Sequence, residues 1–282
     1  MEEIGLIIEG GGMRGLYAAG VLDYFMEQDL YFKDCYAVSA GACHACSYLS
    51  KQIGRSIKVT LDYINDKRYC SVESLIKTGD MFGAKMLYDI IPNELNIYDY
   101  ETYDNHNCNF YSVVTNCETG KSEYIKIKDM RKDIIAVRAS SSLPLLSRIV
   151  EIDNKKYLDG GISDSIPIRK SIEDGHKKNI VLLTRDINYR KSKNNLMPLL
   201  KIKYKKYPNL LKSIKNRHEM YNDTLDFIEE ERKSNNAFVI RPKSPVKIGR
   251  LEKDKTKLKA LYDQGYNDAK DCFNDLLKFL NN

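Results

Sequence analysis

With 282 residues, 43% of them hydrophobic and 30% charged, the chain has the size and composition of an ordinary globular protein with a substantial core, and no run in it approaches the ~20 apolar residues that cross a bilayer. Seven scattered cysteines, an odd number, argue for reduced thiols over a disulfide framework, and the lone C-x-x-C at 43–46 has no second pair at zinc-ligand spacing. The net charge of +6 is local: residues 190–217 hold ten lysines and arginines and no carboxylate, which leaves the rest of the chain at −4.

The opening "MEEIG" is acidic where a secretory signal would be basic, which predicts a cytoplasmic protein. Residues 5–9 read as a short apolar strand, and "GGGMRG" (10–15) follows with four glycines in six positions. Such a loop brings backbone N–H groups close to an anionic atom, either a nucleotide phosphate or the oxyanion of acyl transfer. Residues 16–28 have helical periodicity, with Leu16, Ala19, Gly20, Leu22 and Phe25 on one face. "CYAV" (35–38) is a strand that turns sharply at Ser39 into a second helix. Residues 109–116 and 122–127 alternate as a hairpin around "CETG". "DIIAVRASSSLPLL" (133–146) reads as helix until Pro144 stops it. "KYLDGG" is a strand ending in Asp159 and two glycines, and a helix opens after Pro167. The apolar run 179–184 suits a strand buried on both faces. A basic helical region (195–216), a further helix, a late strand "AFVI" and an amphipathic helix from Lys255 complete the chain. Strands alternating with helices predict an α/β sandwich around a mainly parallel sheet, and no repeat or linker divides it.

Gly10-x-Gly12-x-x-Gly15 alone matches a dinucleotide fingerprint, but that fold needs an acid at the end of the next strand. Asp34 would stand at the wrong end, and Ser39 occupies the right one. "AVSAG" (37–41) instead has the strand–turn–helix setting of a nucleophile elbow, with Ala37 where glycine is usual and Gly41 after the serine. The helix beginning there aims its N–H groups and positive dipole end at the reacting centre. A serine needs a base. His44, His106, His176 and His218 are poorly placed and read as solvated or capping residues. Asp159, at a strand end beside Gly160 and Gly161, is the stronger candidate, provided burial lifts it above the usual carboxylate value of ~3.9.

Taken together, "GGGMRG", "AVSAG" and "DGG" (159–161) resemble, in order and spacing, the motifs of the patatin-like phospholipase family of serine lipid acyl hydrolases, and "RASSSLP" (138–144) is similar to a further family stretch. The resemblance implies a patatin-like three-layer sandwich, a mainly parallel sheet flanked by helices. It implies a single domain over 1–282, with a core of about 4–185 and a C-terminal extension of about 186–282. It further implies that Ser39 attacks an acyl ester while Asp159 takes its proton. The loop of Gly10, Gly11, Gly12, Arg14 and Gly15 would hold the oxyanion, supported by Ala37, Gly41, Gly160 and Gly161. No metal or organic cofactor is required. The alternative is a catalytically silent relative that binds lipid or a partner, which Ala37 alone supports. Residues 196–215 interleave Leu, Ile, Met and Tyr with lysines, which suggests transient docking of the 190–217 segment on an anionic membrane. No nucleic-acid-binding module accompanies these charges, so none is expected as a partner.

Overall fold

A computed structural model describes residues 4–281; the first three residues of the acidic start lie outside it. Strands β1 (Ile4–Ile8), β2 (Asp34–Val38), β3 (Asn109–Asn116), β4 (Ser122–Ile127), β5 (Val150–Ile152), β6 (Lys155–Asp159), β7 (Lys178–Leu182) and β8 (Ala237–Ile240) form one sheet. The run β3-β2-β1-β7-β8 is parallel throughout, and β4, β5 and β6 add antiparallel pairs at the other edge. The expected sandwich, a mainly parallel sheet flanked by helices, is the observed one.

Strand β1 shows why the sheet is covered on both faces. Leu6 and Ile8 enter one core, with α1 (Leu16–Glu27), α2 (Ala40–Leu49) and α10 (Lys255–Asn281). Ile7 points the other way, to a second core with α7 (Ile168–Glu173) and α9 (Pro208–Lys233). The alternation of successive side chains across a strand makes an unbroken apolar run the signature of this layering. Helices α3 (Arg55–Tyr63), α4 (Val72–Thr78) and α5 (Tyr100–Asp104), with a wide π-helical segment Met86–Leu95, fill the region between β2 and β3, where no element was predicted.

Helix α6 (Met130–Ser140) ends earlier than its sequence suggests. Ser142 Oγ donates back to Arg138 O at 2.8 Å, and the Ser142 carbonyl accepts the Asp159 N–H at 2.9 Å. A backbone group claimed by β6 cannot continue the helical ladder, so the helix stops before Pro144. The basic region is helix α8 (Met197–Lys203) followed by the start of α9. Leu200, Tyr204, Leu210 and Ile214 are buried against Leu158 and Ile162, whereas Leu196, Leu199 and Ile202 stay 56, 52 and 74% exposed. No helix among the described residues is long and apolar enough to cross a membrane.

Candidate active site

The edges of β3 bring Ser39 and Asp159 together. One edge is taken by β4 from Phe110 to Thr115. The other carries β2 as far as Val113 and then β6 from Val114, where Val38 pairs with Val113 and Asp159 with Val114. Two strands of opposite direction thus end against each other on one neighbour. The residue that leaves β2 and the residue that ends β6 face across the gap. Ser39 Oγ donates to Asp159 Oδ2 at 2.7 Å, both residues being buried.

Ser39 sits at φ 55°, ψ −125°, a conformation disfavoured for a side chain that has a Cβ. Its N–H donates to Ser140 Oγ at 2.8 Å, and its carbonyl starts α2 by accepting from Ala42. The 138–144 stretch therefore grips both partners, Ser39 through Ser140 and Asp159 through the Ser142 carbonyl. The turn is possible because nothing protrudes from Gly41, where a Cβ would lie 2.7 Å from the Ile8 carbonyl oxygen. Ala37 is fully buried within β2.

Asp159 also accepts from the Gly161 N–H at 2.8 Å, and Thr115 Oγ1 holds its carbonyl. Burial pushes its carboxyl above the ordinary carboxylate range, against the opposing pull of Arg217, the Ser39 hydroxyl, the Gly161 N–H and Arg250. The glycine loop closes the same pocket. Gly10 lies so near the elbow that a Cβ there would be 2.7 Å from Ser39 Cβ. The N–H groups of Gly10, Gly11 and Gly12 have no protein acceptor among the described residues, and all three glycines line the cavity with Ser39 and Asp159. Gly15 packs on Ala40 and His44 at the start of α1, Gly160 on the Val113 carbonyl, and Gly161 beside Arg217. Arg14 is buried, its Nη1 3.4 Å from the Ile248 carbonyl and its Nε without an acceptor.

Among the described residues no histidine hydrogen-bonds Ser39 or Asp159. His44 lines an apolar cavity and is depressed by burial to about 4. His176 is buried, not solvated as its sequence context suggested, but it lies 3.5 Å from Asp34 at the opposite end of β2 from Ser39. His218 contacts the Lys215 carbonyl, and His106 packs on Tyr103. The seven cysteines are all free thiols, with Cys43 and Cys46 on α2.

From Ser39 an apolar cavity of about 110 Å³ runs past Leu16, Phe82, Leu87 and Tyr88. A second of about 110 Å³, sharing Thr60, Tyr69, Leu87 and Tyr88 with the first, continues to Ile91, Tyr98 and Ile134. Its walls come largely from the elements between β2 and β3. Ser39 also lines a polar pocket, bounded by Glu9, Arg185, Tyr189, Lys191, Arg217, Tyr221 and Arg250. None of these was predicted as a site residue. Glu9, an acid closing an apolar strand, carried the one legible signal: its carboxylate is buried and accepts from Thr184 N, Thr184 Oγ1 and Tyr221 OH. Lys191 and Arg217 belong to the basic 190–217 segment but turn inward to this pocket.

A strand–serine–helix elbow, a carboxylate within hydrogen-bond reach and a glycine loop with free N–H groups are joined in one pocket on an α/β sheet. The family model for patatin-like phospholipases matches residues 6–171, more than half of the chain, and the protein belongs to the patatin-like phospholipase family. A second model, a domain of unknown function (DUF6363), matches residues 207–281. The chain is 28% identical over 186 residues to the uncharacterized protein YjjU of Escherichia coli (strain K12), a match covering 64% of this chain. It spans 52% of that relative's length. It is also similar to the crystal structure of VipD from Legionella pneumophila, with a TM-score of 0.47 and 12% identity, over 96% of this chain and 66% of that one.

Proposed function

We propose that the protein hydrolyses ester-linked lipid acyl chains, with Ser39 as nucleophile and Asp159 as general base and no histidine in the dyad. The observation that carries this reading is the 2.7 Å Ser39 Oγ–Asp159 Oδ2 hydrogen bond in a pocket lined by Gly10, Gly11 and Gly12, whose N–H groups have no protein acceptor among the described residues. As Oγ attacks the ester carbonyl, Asp159 takes its proton, and the Gly10–Gly12 loop with Arg14 receives the oxyanion. Such donors contribute about 3 kcal/mol each to the transition state. Asp159 then returns the proton to the departing alkoxide. Water, deprotonated by the same carboxylate, cleaves the acyl-enzyme and frees the fatty acid.

The apolar cavity leading from Ser39 is the place for the acyl chain. The N-terminal and C-terminal parts work as one unit, because β8 extends the same sheet and Arg217 and Arg250 reach the pocket. Ala37 fits inside β2 without displacing the elbow, which favours a working enzyme over a silent binding relative. The exposed Leu196, Leu199 and Ile202, set among lysines, support transient contact with anionic membranes.

Assays on matched phospholipid, lysophospholipid and neutral esters test the activity. Ser39→Ala and Asp159→Asn should each lower kcat by about 10⁴-fold or more with unchanged circular dichroism, while His176→Ala keeps wild-type turnover. Full activity in Asp159→Asn would remove the dyad. Equal sedimentation with anionic and neutral vesicles would remove the membrane contact.

A further inference from the structure

The two apolar cavities beyond Ser39 share Cys43, His44, Thr60, Tyr69, Leu87 and Tyr88 and form one path. Helix α2 runs beside it at about 1.5 Å per residue, so Ser47 lies about 12 Å beyond Ser39, the span of a medium-length acyl chain. Most of that wall is neutral. Burial raises the Cys43, Cys46 and Tyr88 groups, which keeps them protonated, and depresses His44 to about 4, which keeps it uncharged. The far end, where Ser47 and Ser56 stand, is different. Arg55, at the start of α3, is among the described residues the only charged side chain that lines either cavity.

Arg55 is incompletely paired. Its Nη2 donates to the Asn96 carbonyl at 3.0 Å, and its guanidinium lies 5.2 Å from the centre of the Tyr98 ring. Its Nε is buried with no acceptor, and among the described residues no carboxylate forms an ion pair with it. The groups that act on its charge are Cys46, Tyr98 and Tyr100, and burial lowers its pKa from the ordinary arginine value. A guanidinium keeps its proton in a protein. The apolar path therefore ends at an uncompensated cation, which a methyl-terminated chain would desolvate further without giving it a partner.

We propose that Arg55 selects acyl chains that end in a carboxylate, so that the acyl part of the ester is a dicarboxylic acid esterified at one end. That this ligand is a substrate rests on the hydrolase reading above. A carboxylate matches the planar fork of a guanidinium, and the low-dielectric walls strengthen the pair. With the ester carbon over Ser39 and the carboxylate at Arg55, the chain between them meets only neutral, mostly apolar wall. Hydrolysis then adds water across the ester bond and releases the dicarboxylic acid and the alcohol. Because the cation stands at a fixed distance from Ser39, the preference should peak at one chain length. Attraction of the same carboxylate to the basic pocket beside Ser39 would show no such peak.

Calorimetric binding to full-length Ser39→Ala separates this from the catalytic claim. The probes are the monomethyl esters of adipic, suberic, sebacic and dodecanedioic acids, each beside the methyl ester of the monocarboxylic acid of the same length. At one length the carboxylated ester should bind about tenfold or more tightly than its neutral counterpart. Adding Arg55→Met should abolish that preference and adding Arg55→Lys should keep part of it, with melting temperatures confirming folded proteins. Adding Arg250→Gln, in the basic pocket, should leave the preference in place. Equal affinities at every length, a preference flat with length, or one lost in Arg250→Gln and kept in Arg55→Met would overturn the proposal. In wild-type protein the p-nitrophenyl monoester of the preferred acid should show a several-fold lower KM than its neutral counterpart, with similar kcat. If the binding preference holds but wild-type protein cleaves neither ester, the Arg55 site stands and the hydrolase reading falls. Cleavage of both with equal kcat/KM would do the reverse.

Discussion

In the proposed dyad Asp159 is the residue on which the chemistry would turn, because a carboxylate at its ordinary pKa is a weak base for a serine hydroxyl. Burial raises it, and Arg217, Arg250, the Ser39 hydroxyl and the Gly161 N–H limit the rise. Only the ionised form accepts a proton, so activity should climb with pH through a midpoint above the usual carboxylate range. Arg217→Gln removes a neighbouring positive charge that favours ionisation. It should move the acid limb of the kcat/KM profile to higher pH; a limb that stays in place or moves down would separate that limb from Asp159. The same shift has a cost to folding. A carboxyl whose folded pKa lies above its unfolded value contributes less stability as pH rises through that interval.

At the scale of elements, the site is a product of strand ends. The sharp turn out of β2 and the halt of β6 at Asp159 were legible in the sequence because small residues and glycines punctuate apolar runs there. So was the β3–β4 hairpin, from its two short runs around the turn, although β3 is buried without alternation from Ser112 to Asn116. The β5–β6 turn was not predicted, although it carries Asp153-Asn154, residue types suited to the positive φ both adopt (48° and 62°). The premature end of α6 was not legible, since it depends on the Ser142 carbonyl being claimed by a strand that comes later. Nor were the cavity walls between β2 and β3, which include a wide π-helical segment, Met86–Leu95, with Pro92 inside it. Two variants test this layer. Gly10→Ala places a methyl against Ser39 Cβ and should cost roughly 100-fold in turnover, as about 1 Å of misplacement does elsewhere. Leu87→Trp, in the wall shared by both apolar cavities, should depress turnover of long-chain esters more than of short ones. A uniform loss across chain lengths would place the acyl chain elsewhere.

Over the whole molecule, the C-terminal segments are part of the same construction. Helix α10 lies against α1 so closely that a Cβ at Gly265 would be 2.0 Å from the Tyr17 carbonyl and one at Gly20 would be 2.1 Å from the Tyr262 carbonyl. Tyr17 OH donates to Asp268 and Tyr262 OH to Asp23 across the same contact. Gly265→Val should therefore destabilise the full chain by about 1–3 kcal/mol or more, read as a lower Tm; an unchanged Tm would mean that α10 does not pack on α1. The convergence of Arg185, Arg217 and Arg250 on the Ser39 pocket was the least legible feature of all. A basic run read along the chain looks like a solvated face, and only the packing of α9 turns Arg217 inward.

The most direct measurement is the rate and site of modification by a fluorophosphonate, followed by intact mass and peptide mapping. A single adduct on Ser39 is predicted, absent in Ser39→Ala, slowed by orders of magnitude in Asp159→Asn, and formed at the wild-type rate in His176→Ala. Labelling at another residue, or an Asp159→Asn protein labelled as fast as the wild type, would contradict the account.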